Sequence, residues 1–193
     1  TRFKFLRQAG KKRRKRYGAY DSRGRLAGKR HISERPAAVE ARSEVGHWEI
    51  DTMLGSTKHC IVTLVERVTG FLMIGKLKAR TVAELNRATL ALISAAHLPV
   101  RTITADNGTE FHGYADLEHQ TGARFYFATP HHSWERGANE NANGLIRQYL
   151  PKRTTMARLS PSRCDSIASR LNNRPRKRLD FLTPKEAYEL LRD

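Results

Sequence analysis

The stretch that decides the fold of this chain is residues 46–77, which read GHWEIDTMLGSTKHCIVTLVERVTGFLMIGKL. It contains three runs of mostly apolar and β-branched residues, at 47–54, 59–65 and 71–77, and turn-forming residues separate each run from the next. Runs of this length with tight turns between them are typical of an antiparallel meander. We therefore expect three consecutive strands that pair side by side.

Helical and strand patterns alternate after this meander. Apolar residues recur at helical spacing from a capping box of Thr81 and Glu84 onward, and Pro99 follows them. The predicted elements are a helix over 81–96, a strand over 100–105, a short helix over 113–121, a strand over 124–128, a loop over 129–136, a helix over 137–150, and helices that begin at Ser160-Pro161 and Thr183-Pro184. This order predicts an α/β chain of the ribonuclease-H-like type, with a mixed five-stranded sheet flanked by helices: three antiparallel strands, then parallel additions.

Composition excludes several classes of protein. The chain has 193 residues with 39% hydrophobic residues, and no apolar run approaches the roughly 20 residues that a membrane span requires. Its two cysteines, Cys60 and Cys164, lie far apart, which excludes a disulfide scaffold and a structural zinc site. Free thiols fit a reducing cytoplasm. Because the sequence opens with Thr inside a basic stretch, we interpret it as a fragment of a longer protein.

Positive charge is concentrated at the two ends. The formal net charge is +17, of which residues 1–46 hold +11 and residues 151–193 hold +6, whereas residues 47–150 are neutral. We predict a basic arm over 1–46, a catalytic domain over 47–173, and a basic linker with a terminal helix over 174–193. Basic arms bind polyanions by releasing counterions, so double-stranded DNA is the expected partner. The predicted DNA-binding residues of the arms are Lys11, Lys12, Arg13, Arg14, Lys15, Arg16, Lys152 and Arg153.

Two aspartates stand at positions that predict a metal site. Asp51 interrupts an otherwise apolar strand, and a buried carboxylate needs a partner, a proton or a metal. Asp106 ends the fourth strand, where open α/β sheets bind their ligands. Strands one and four are neighbours in the expected topology, so the two carboxylates would lie side by side. Oxygen ligands of this kind favour Mg²⁺ or Mn²⁺. Each aspartate taken alone can be a turn cap or a salt bridge, and an isolated Asp-Asn-Gly favours that interpretation; the pair at these two strand positions favours the metal site.

A third acid should come from a helix that faces the same sheet edge. The candidates are Glu110, Asp116, Glu118, Glu135 and Glu140. Glu110 is too close to Asp106 in sequence to arrive from another element, and the short helix over 113–121 is expected to be exposed. Glu140 lies within the predicted helix over 137–150, among small polar residues that suit contact with a phosphate backbone. A solvated helix is the alternative for this segment.

Three blocks in order resemble a known family. They are Gly46-His47-Trp48-Glu49-Ile50-Asp51, then Asp106-Asn107-Gly108-Thr109-Glu110-Phe111, then Ser133-Trp134-Glu135-Arg136-Gly137-Ala138-Asn139-Glu140-Asn141-Ala142-Asn143-Gly144, with 33 residues between Asp106 and Glu140. Together they resemble the motifs of the insertion-sequence-thirty family of bacterial DDE transposases. The wider similarity is to retroviral integrase catalytic cores.

The resemblance implies a transposase catalytic domain with a ribonuclease-H-like fold. Asp51, Asp106 and Glu140 would be the DDE triad, both catalytic residues and ligands of two Mg²⁺ ions, for which Mn²⁺ can substitute. Such an enzyme cleaves DNA at the ends of an insertion sequence and transfers the freed 3′-OH into target DNA. Homo-oligomerisation in the DNA complex and a cytoplasmic, nucleoid-associated location in a bacterium follow from the same resemblance, with no membrane partner.

Several other residues near these motifs have more than one possible role. Arg147 follows Glu140 by two helical turns and either holds a DNA phosphate or is a surface arginine. Glu49 shares a strand face with Asp51 and is an accessory ligand or, more simply, a paired charge; Asn107 is a second accessory candidate. Trp134 is expected to pack against the catalytic helix rather than stack on a base. His131 and His132 are expected to be loop histidines, not a transition-metal site.

Two other functions compete with transposition. One is a ribonuclease-H-like nuclease that only hydrolyses DNA, and strand transfer by pre-cleaved ends separates it from a transposase. The other is a non-catalytic basic DNA-binding module, for which the buried aspartates would have no function.

Overall fold

The computed structural model describes residues 28–96, 99–130 and 132–191. Its strands are β1 (His47–Leu54), β2 (Cys60–Glu66), β3 (Leu72–Leu77), β4 (Thr102–Ala105) and β5 (Arg124–Phe127). Its α-helices are α1 (Ala37–Ala41), α2 (Val82–Ala96), α3 (Tyr114–Thr121), α4 (Gly137–Ile146), α5 (Pro161–Asn172) and α6 (Pro184–Leu190). Short 3₁₀ turns occupy Ile32–Glu34, Thr109–Gly113, Ser133–Arg136 and Lys177–Leu179.

The sheet has the predicted mixed topology. Its strand order is β3-β2-β1-β4-β5; β1, β2 and β3 pair antiparallel, and β4 and β5 are added in parallel. The predicted elements are therefore confirmed, and their ends move by a few residues. The segment over 129–136, predicted as a loop, contains the 3₁₀ turn Ser133–Arg136, and α4 ends at Ile146 rather than at residue 150.

The capping box predicted at α2 is incomplete, whereas the start of α6 carries a complete one. Thr183 and Glu186 form the complete reciprocal box at the start of α6. At α2 the Thr81 hydroxyl accepts a hydrogen bond from the amide of Glu84 at 3.4 Å. The Glu84 carboxylate, however, accepts from the amide of Lys78 at 2.9 Å instead of from Thr81. That carboxylate therefore ties the end of β3 to the helix.

Helices cover both faces of the sheet. One face of β1 carries Trp48 and Ile50, fully buried in a core with α2 and α3. The opposite face carries Met53, which packs in a second core with α4 and α5. Each large apolar side chain buried there stabilises the fold by roughly 1.5–3 kcal/mol. Glu49 and Asp51 alternate with Trp48 and Ile50, so they project toward the α4 face.

The described part of the first arm packs on the sheet. The amide of Phe127 donates to the carbonyl of Arg30 at 2.9 Å, His31 forms a bridge with Phe127, and Val39 of α1 is fully buried. Residues 28–46 therefore share contacts with the sheet. The block of basic residues from Lys11 to Arg16 lies outside the described residues. The domain boundaries at 46/47 and 173/174 remain a prediction.

Candidate active site

Asp51 and Asp106 meet at the edge of the sheet. In the parallel pair of β1 and β4, Glu49 lies opposite Thr104. Continuing that register by two residues places Asp51 opposite Asp106, and both side chains project from the face covered by α4. Adjacent strands and strict alternation thus bring together two carboxylates that are 55 positions apart in sequence, as the sequence predicted.

A buried arginine lies between the two carboxylates. The guanidinium of Arg136 contacts Asp51 Oδ1 at 3.6 Å and Asp106 Oδ2 at 3.4 Å, and it donates to the carbonyl of Ile50 at 3.0 Å. Arg136 is only 8% exposed to solvent. Two carboxylates that converge at a partly buried site repel each other unless positive charge lies between them, and in this structure Arg136 supplies that charge. Sequence reasoning missed this role, although Arg136 stands in the third quoted block.

Asp51 is held by two hydrogen bonds on separate oxygens. Its Oδ1 accepts from the amide of Thr52 at 2.9 Å, and its Oδ2 accepts from the side-chain amide of Asn143 at 2.7 Å. Burial raises the pKa of Asp51 above its ordinary value, and the Asp106 charge adds to that rise, whereas Arg136 and the two hydrogen bonds oppose it. The net direction is upward, so binding of a cation beside Asp51 would relieve an existing electrostatic cost.

Glu49 fixes the start of α4 instead of extending the site. Its carboxylate is fully buried, forms an ion pair with Arg67, and accepts from the amide of Asn139 at 2.9 Å. An acid that accepts from a free amide in the first turn stabilises a helix. This capping offsets the low helix propensity of Gly137 and Gly144. Glu49 is therefore the paired charge that the sequence offered as an alternative to an accessory ligand.

Glu140 lies on α4 close to this pair but points outward. It is exposed, and it precedes Asn143, the residue that contacts Asp51, by three positions and so by less than one helical turn. Within residues 28–96, 99–130 and 132–191 no group of three His, Cys, Asp or Glu side chains converges closely enough to hold a metal ion. Two of the three predicted acids are thus assembled, and the third lies on the helix that flanks them.

Glu110 was excluded as a third ligand because it is close to Asp106 in sequence, but the fold brings its carboxylate near that of Asp106. It is 3% exposed, and its Oε1 accepts from the hydroxyl of Thr52 at 2.7 Å. A Cβ added at Gly108 would lie 2.5 Å from Glu110 Oε2 and 2.9 Å from Asp106 Oδ1, so the two carboxylates flank the same glycine. Closeness in sequence did not prevent Glu110 from approaching Asp106, because the 3₁₀ turn Thr109–Gly113 folds it back.

Two of the other candidate acids have structural partners. Glu118 pairs with Arg30 at 2.5 Å and accepts from the amide of Phe125 at 2.6 Å. Glu135 accepts from the amide of Thr129 at 2.7 Å, which closes the turn before α4. Asn107 donates to the carbonyl of Ala128 at 2.7 Å and accepts from Lys29, so it joins the ends of β4 and β5.

The predicted DNA-binding residues divide into two kinds. Arg147 is half-buried and donates to the carbonyls of Leu54 at 3.1 Å and Leu150 at 3.4 Å, and burial lowers its pKa. It therefore ties the end of β1 to the chain after α4, whereas the sequence placed it on an exposed surface. Lys152 and Arg153 are exposed in the loop that follows. Contact of any of them with DNA remains a prediction.

Trp134 is exposed, so the expectation that it packs against α4 is wrong. Its side chain is 68% exposed and stacks on His132 with ring centroids 4.4 Å apart. Trp134 lies in the 3₁₀ turn Ser133–Arg136, just before α4, and this turn directs its side chain toward solvent instead of toward the helix. The alternative, an aromatic surface on which a base stacks, fits this exposure.

We expect Trp134→Ala to weaken binding of DNA about fivefold or more, because stacking of one base contributes roughly 1–3 kcal/mol. The free energy of unfolding should change by less than about 0.5 kcal/mol, as for other exposed positions. Fluorescence anisotropy with labelled single-stranded and duplex DNA measures the first quantity, and thermal melting the second. His119→Ala, which removes an exposed aromatic ring on α3 outside the basic segments, is the matched control. Equal affinity of the two variants would contradict the stacking function.

The helices and the two cysteines bear on the classes of protein that the composition excluded. In the part of the chain that the structure describes, no helix is both long and apolar enough to cross a bilayer. Cys60 and Cys164 are both buried free thiols, and burial raises the pKa of each to about 11. Neither is poised as a thiolate nucleophile.

The sequence is similar to several bacterial transposases. The transposase for insertion sequence element IS4351 of Bacteroides fragilis is 40% identical over 187 residues, which is 96% of this chain and 57% of that protein. Transposase InsI for insertion sequence element IS30A of Escherichia coli K12 is 40% identical over 159 residues, 82% of this chain and 42% of that protein. The transposase for IS1086 of Cupriavidus metallidurans is 40% identical over 93% of this chain and 53% of its own length.

The chain therefore spans about half the length of the curated relatives that it matches. No profile of a known protein family matches it. Among solved structures, the catalytic core domain of BIV integrase superimposes with a TM-score of 0.58 at 21% identity, over 75% of this chain and 94% of that domain. The resemblance seen in the three sequence blocks is thus confirmed: over nearly its whole length the chain is a homologue of the insertion-sequence-thirty family transposases, and it has the ribonuclease-H-like fold of an integrase catalytic core.

Proposed function

We propose that this chain is the catalytic domain of a DDE transposase, a metal-dependent polynucleotidyl transferase that acts on double-stranded DNA. The observation that carries the proposal is the convergence of Asp51 and Asp106, from two adjacent parallel strands, on one buried cation. A basic binding module does not need two half-buried carboxylates drawn together at a sheet edge, because that arrangement carries a desolvation and repulsion cost. The names of the relatives support the same assignment.

The residues present fit a divalent cation. Asp51 and Asp106 provide oxygen ligands of the type that Mg²⁺ and Mn²⁺ prefer. The charge of Arg136 at 3.4–3.6 Å from both supports the proposal that positive charge belongs between them. Glu140 would complete the set from α4. When bound, two such ions would act as Lewis acids toward the phosphoryl oxygens and neutralise charge that develops there.

The protein side chains would orient the site. Asn143 and the Thr52 amide each hold one oxygen of Asp51, which fixes the plane of its carboxylate. Glu49, through the Asn139 amide, fixes the first turn of α4 and therefore the position of Glu140 relative to β1. Arg136, with donors near both aspartates, can contribute positive charge toward a phosphate in the cleft.

Two transfers at one site account for transposition. In the first, water attacks the phosphorus at the element end in line, and the bond from phosphorus to the 3′ oxygen breaks to leave a 3′-OH. In the second, that 3′ oxygen attacks a phosphorus of target DNA and displaces the 3′ oxygen of the target strand. No covalent protein–DNA intermediate is needed. Assembly of two or more copies on DNA, the arm over 1–46 as a DNA-binding segment, and a cytoplasmic, nucleoid-associated location belong to the same proposal.

We expect a protein that contains this domain and the remaining length of its relatives to join a pre-cleaved, labelled terminal-repeat oligonucleotide to plasmid DNA when Mg²⁺ or Mn²⁺ is present. Blocking the terminal 3′-OH as a dideoxynucleotide is the control and should abolish the product, since that oxygen is the nucleophile. Cleavage of uncut terminal-repeat DNA without joining of the pre-cleaved oligonucleotide would instead favour the hydrolytic nuclease. Binding without either reaction would favour the non-catalytic module.

A further inference from the structure

A cavity of about 150 Å³ lies on the flank of α4 that faces away from the carboxylates. It is bounded by α4, by the turn between β2 and β3, by α5, and by the chain that follows α5. Three arginines line it: Arg42, Arg176 and Arg178. We call this cavity the arginine pocket. No acid lines it among the residues that the structure describes.

The three cations reach the pocket from separate segments. Arg42 lies in the turn that ends α1, and Arg176 and Arg178 lie in the basic run after α5 that the sequence predicted as a linker. Arg178 is held in place by donating to the carbonyl of Val68 at 2.6 Å, and Arg176 donates to the carbonyl of Leu171 at 3.3 Å. Burial lowers the pKa of Arg178, and the charges of Arg42 and Arg176 lower it further, whereas the charge of Glu66 opposes the shift. The fold thus brings like charges together at a cost.

The backbone makes room for this crowding. Gly70 in the β2–β3 turn has φ of +72°, and a Cβ there would lie 2.5 Å from an Nη atom of Arg178. On the opposite wall a Cβ added at Gly137 would meet no atom within 4 Å, so the wall formed by α4 is open. The floor is apolar and includes Leu72, Leu145 and Leu171. A cationic rim above an apolar floor matches the chemistry of a sugar–phosphate unit.

We propose that the arginine pocket binds one sugar–phosphate unit of DNA away from the scissile phosphate. The arginines would hold the phosphate by charge-assisted hydrogen bonds, and the apolar floor would contact the deoxyribose. The inference rests on the proposed function for the identity of the polyanion. It assigns a purpose to the C-terminal basic run that is independent of the carboxylate site.

The position of the pocket defines what it would do. Residues 137, 138, 141, 142 and 145 of α4 line it and, at 100° per residue, form one stripe of the helix, whereas Asn143 faces Asp51 from the other side. A helix with its side chains is about 10–12 Å across, so a phosphate held there belongs to a different nucleotide from the one that reacts. The pocket should therefore set DNA affinity and leave the chemical step unchanged.

The first test needs no DNA. In the folded protein, 10 mM inorganic phosphate should raise Tm by at least about 2 °C relative to chloride at equal ionic strength. The triple variant Arg42→Gln, Arg176→Gln, Arg178→Gln should lose this shift. The matched control Arg87→Gln, Arg124→Gln, Arg163→Gln removes the same charge at exposed positions and should keep it. Ala138→Leu, which fills the pocket and preserves its charge, is the second variant and should also lose the shift.

The second test uses duplex DNA. The slope of log Kobs against log salt should fall in magnitude by about 0.9 for the pocket triple variant, the value for one phosphate contact, and by less for the control. An equal fall of the slope in the pocket variant and the control variant would contradict the proposal that the arginine pocket binds a phosphate. A phosphate-dependent rise in Tm that persists in the pocket variants would contradict it as well. Failure of wild-type protein to join strands while these shifts hold would overturn the proposed function and leave the pocket standing.

Discussion

Asp51→Asn, Asp106→Asn and Glu140→Gln should each reduce strand cleavage and strand transfer by at least about 10²–10³-fold. Each change removes a ligand from the site where bound cations would stabilise the charge of the transition state. Binding of DNA should persist, since the basic segments are unchanged. Double variants should not lose activity additively, because the three acids act as one site. Cleavage of labelled terminal-repeat DNA with Mg²⁺ or Mn²⁺ is the measurement.

Asp116→Asn and Glu135→Gln are the matched controls and should retain most activity. Glu110→Gln separates two assignments of the third ligand, because the fold places this acid beside Thr52 and Gly108. If Glu110→Gln is inactive with a wild-type Tm while Glu140→Gln cleaves normally, the assignment of Glu140 as the third ligand is wrong. If all three triad variants cleave normally, the DDE mechanism is wrong for this chain.

The stability of these variants should differ in a way that sequence alone could not foresee. Repulsion among three bare carboxylates predicts that neutralising any one leaves stability unchanged or raises it. Arg136 changes that expectation for the aspartates, since each amide substitution removes one of its two ion pairs. Asp106→Asn should therefore melt slightly below wild type. For Asp51→Asn the lost ion pair is opposed by relief of the burial that raises the pKa of Asp51, so its Tm should match wild type. Glu140→Gln should have the same Tm as wild type, because Glu140 is exposed.

The sequence predicted the fold well because the signals were local and mutually consistent. Alternation in β1, the β-branched run of β2 and the turns between strands specify the meander, and the helical period of α2 specifies a crossover. The pairing of β1 with β4 then follows from topology. For this reason the sequence alone predicted that Asp51 and Asp106 lie side by side.

The misjudged residues lie where the chain turns. Trp134 and Arg136 stand in the 3₁₀ turn between β5 and α4, and 3₁₀ turns carry no clear periodic signal, whereas Arg147 is the C-cap residue of α4. Arg136 turns inward to the carboxylates, Trp134 turns outward, and Arg147 reaches back to β1. The approach of Glu110 to Asp106 has the same origin in the 3₁₀ turn Thr109–Gly113.

Arg136→Gln should destabilise the metal-free protein and increase its response to a divalent cation. Removing one partner of a fully buried ion pair costs roughly 3–5 kcal/mol. The side chains of Asp51 and Asp106 are 21% and 35% exposed, so we expect a loss of about 2–3 kcal/mol in the free energy of unfolding. For a chain of this size that corresponds to a fall of roughly 4–12 °C in Tm, measured in EDTA.

Manganese should then restore part of that loss. In the wild-type protein the guanidinium competes with a cation for the same two carboxylates, whereas in Arg136→Gln they are left unpaired. Mn²⁺ should therefore raise Tm more in Arg136→Gln than in wild type. Arg136→Lys keeps the charge but loses the planar fork, so its Tm in EDTA should be intermediate. Arg87→Gln, which removes an exposed partner of Glu84, is the control and should match wild type in both conditions. An Arg136→Gln protein with wild-type Tm and a wild-type response to Mn²⁺ would show that the guanidinium does not neutralise the pair, and the aspartates would then need another cation even in the resting protein.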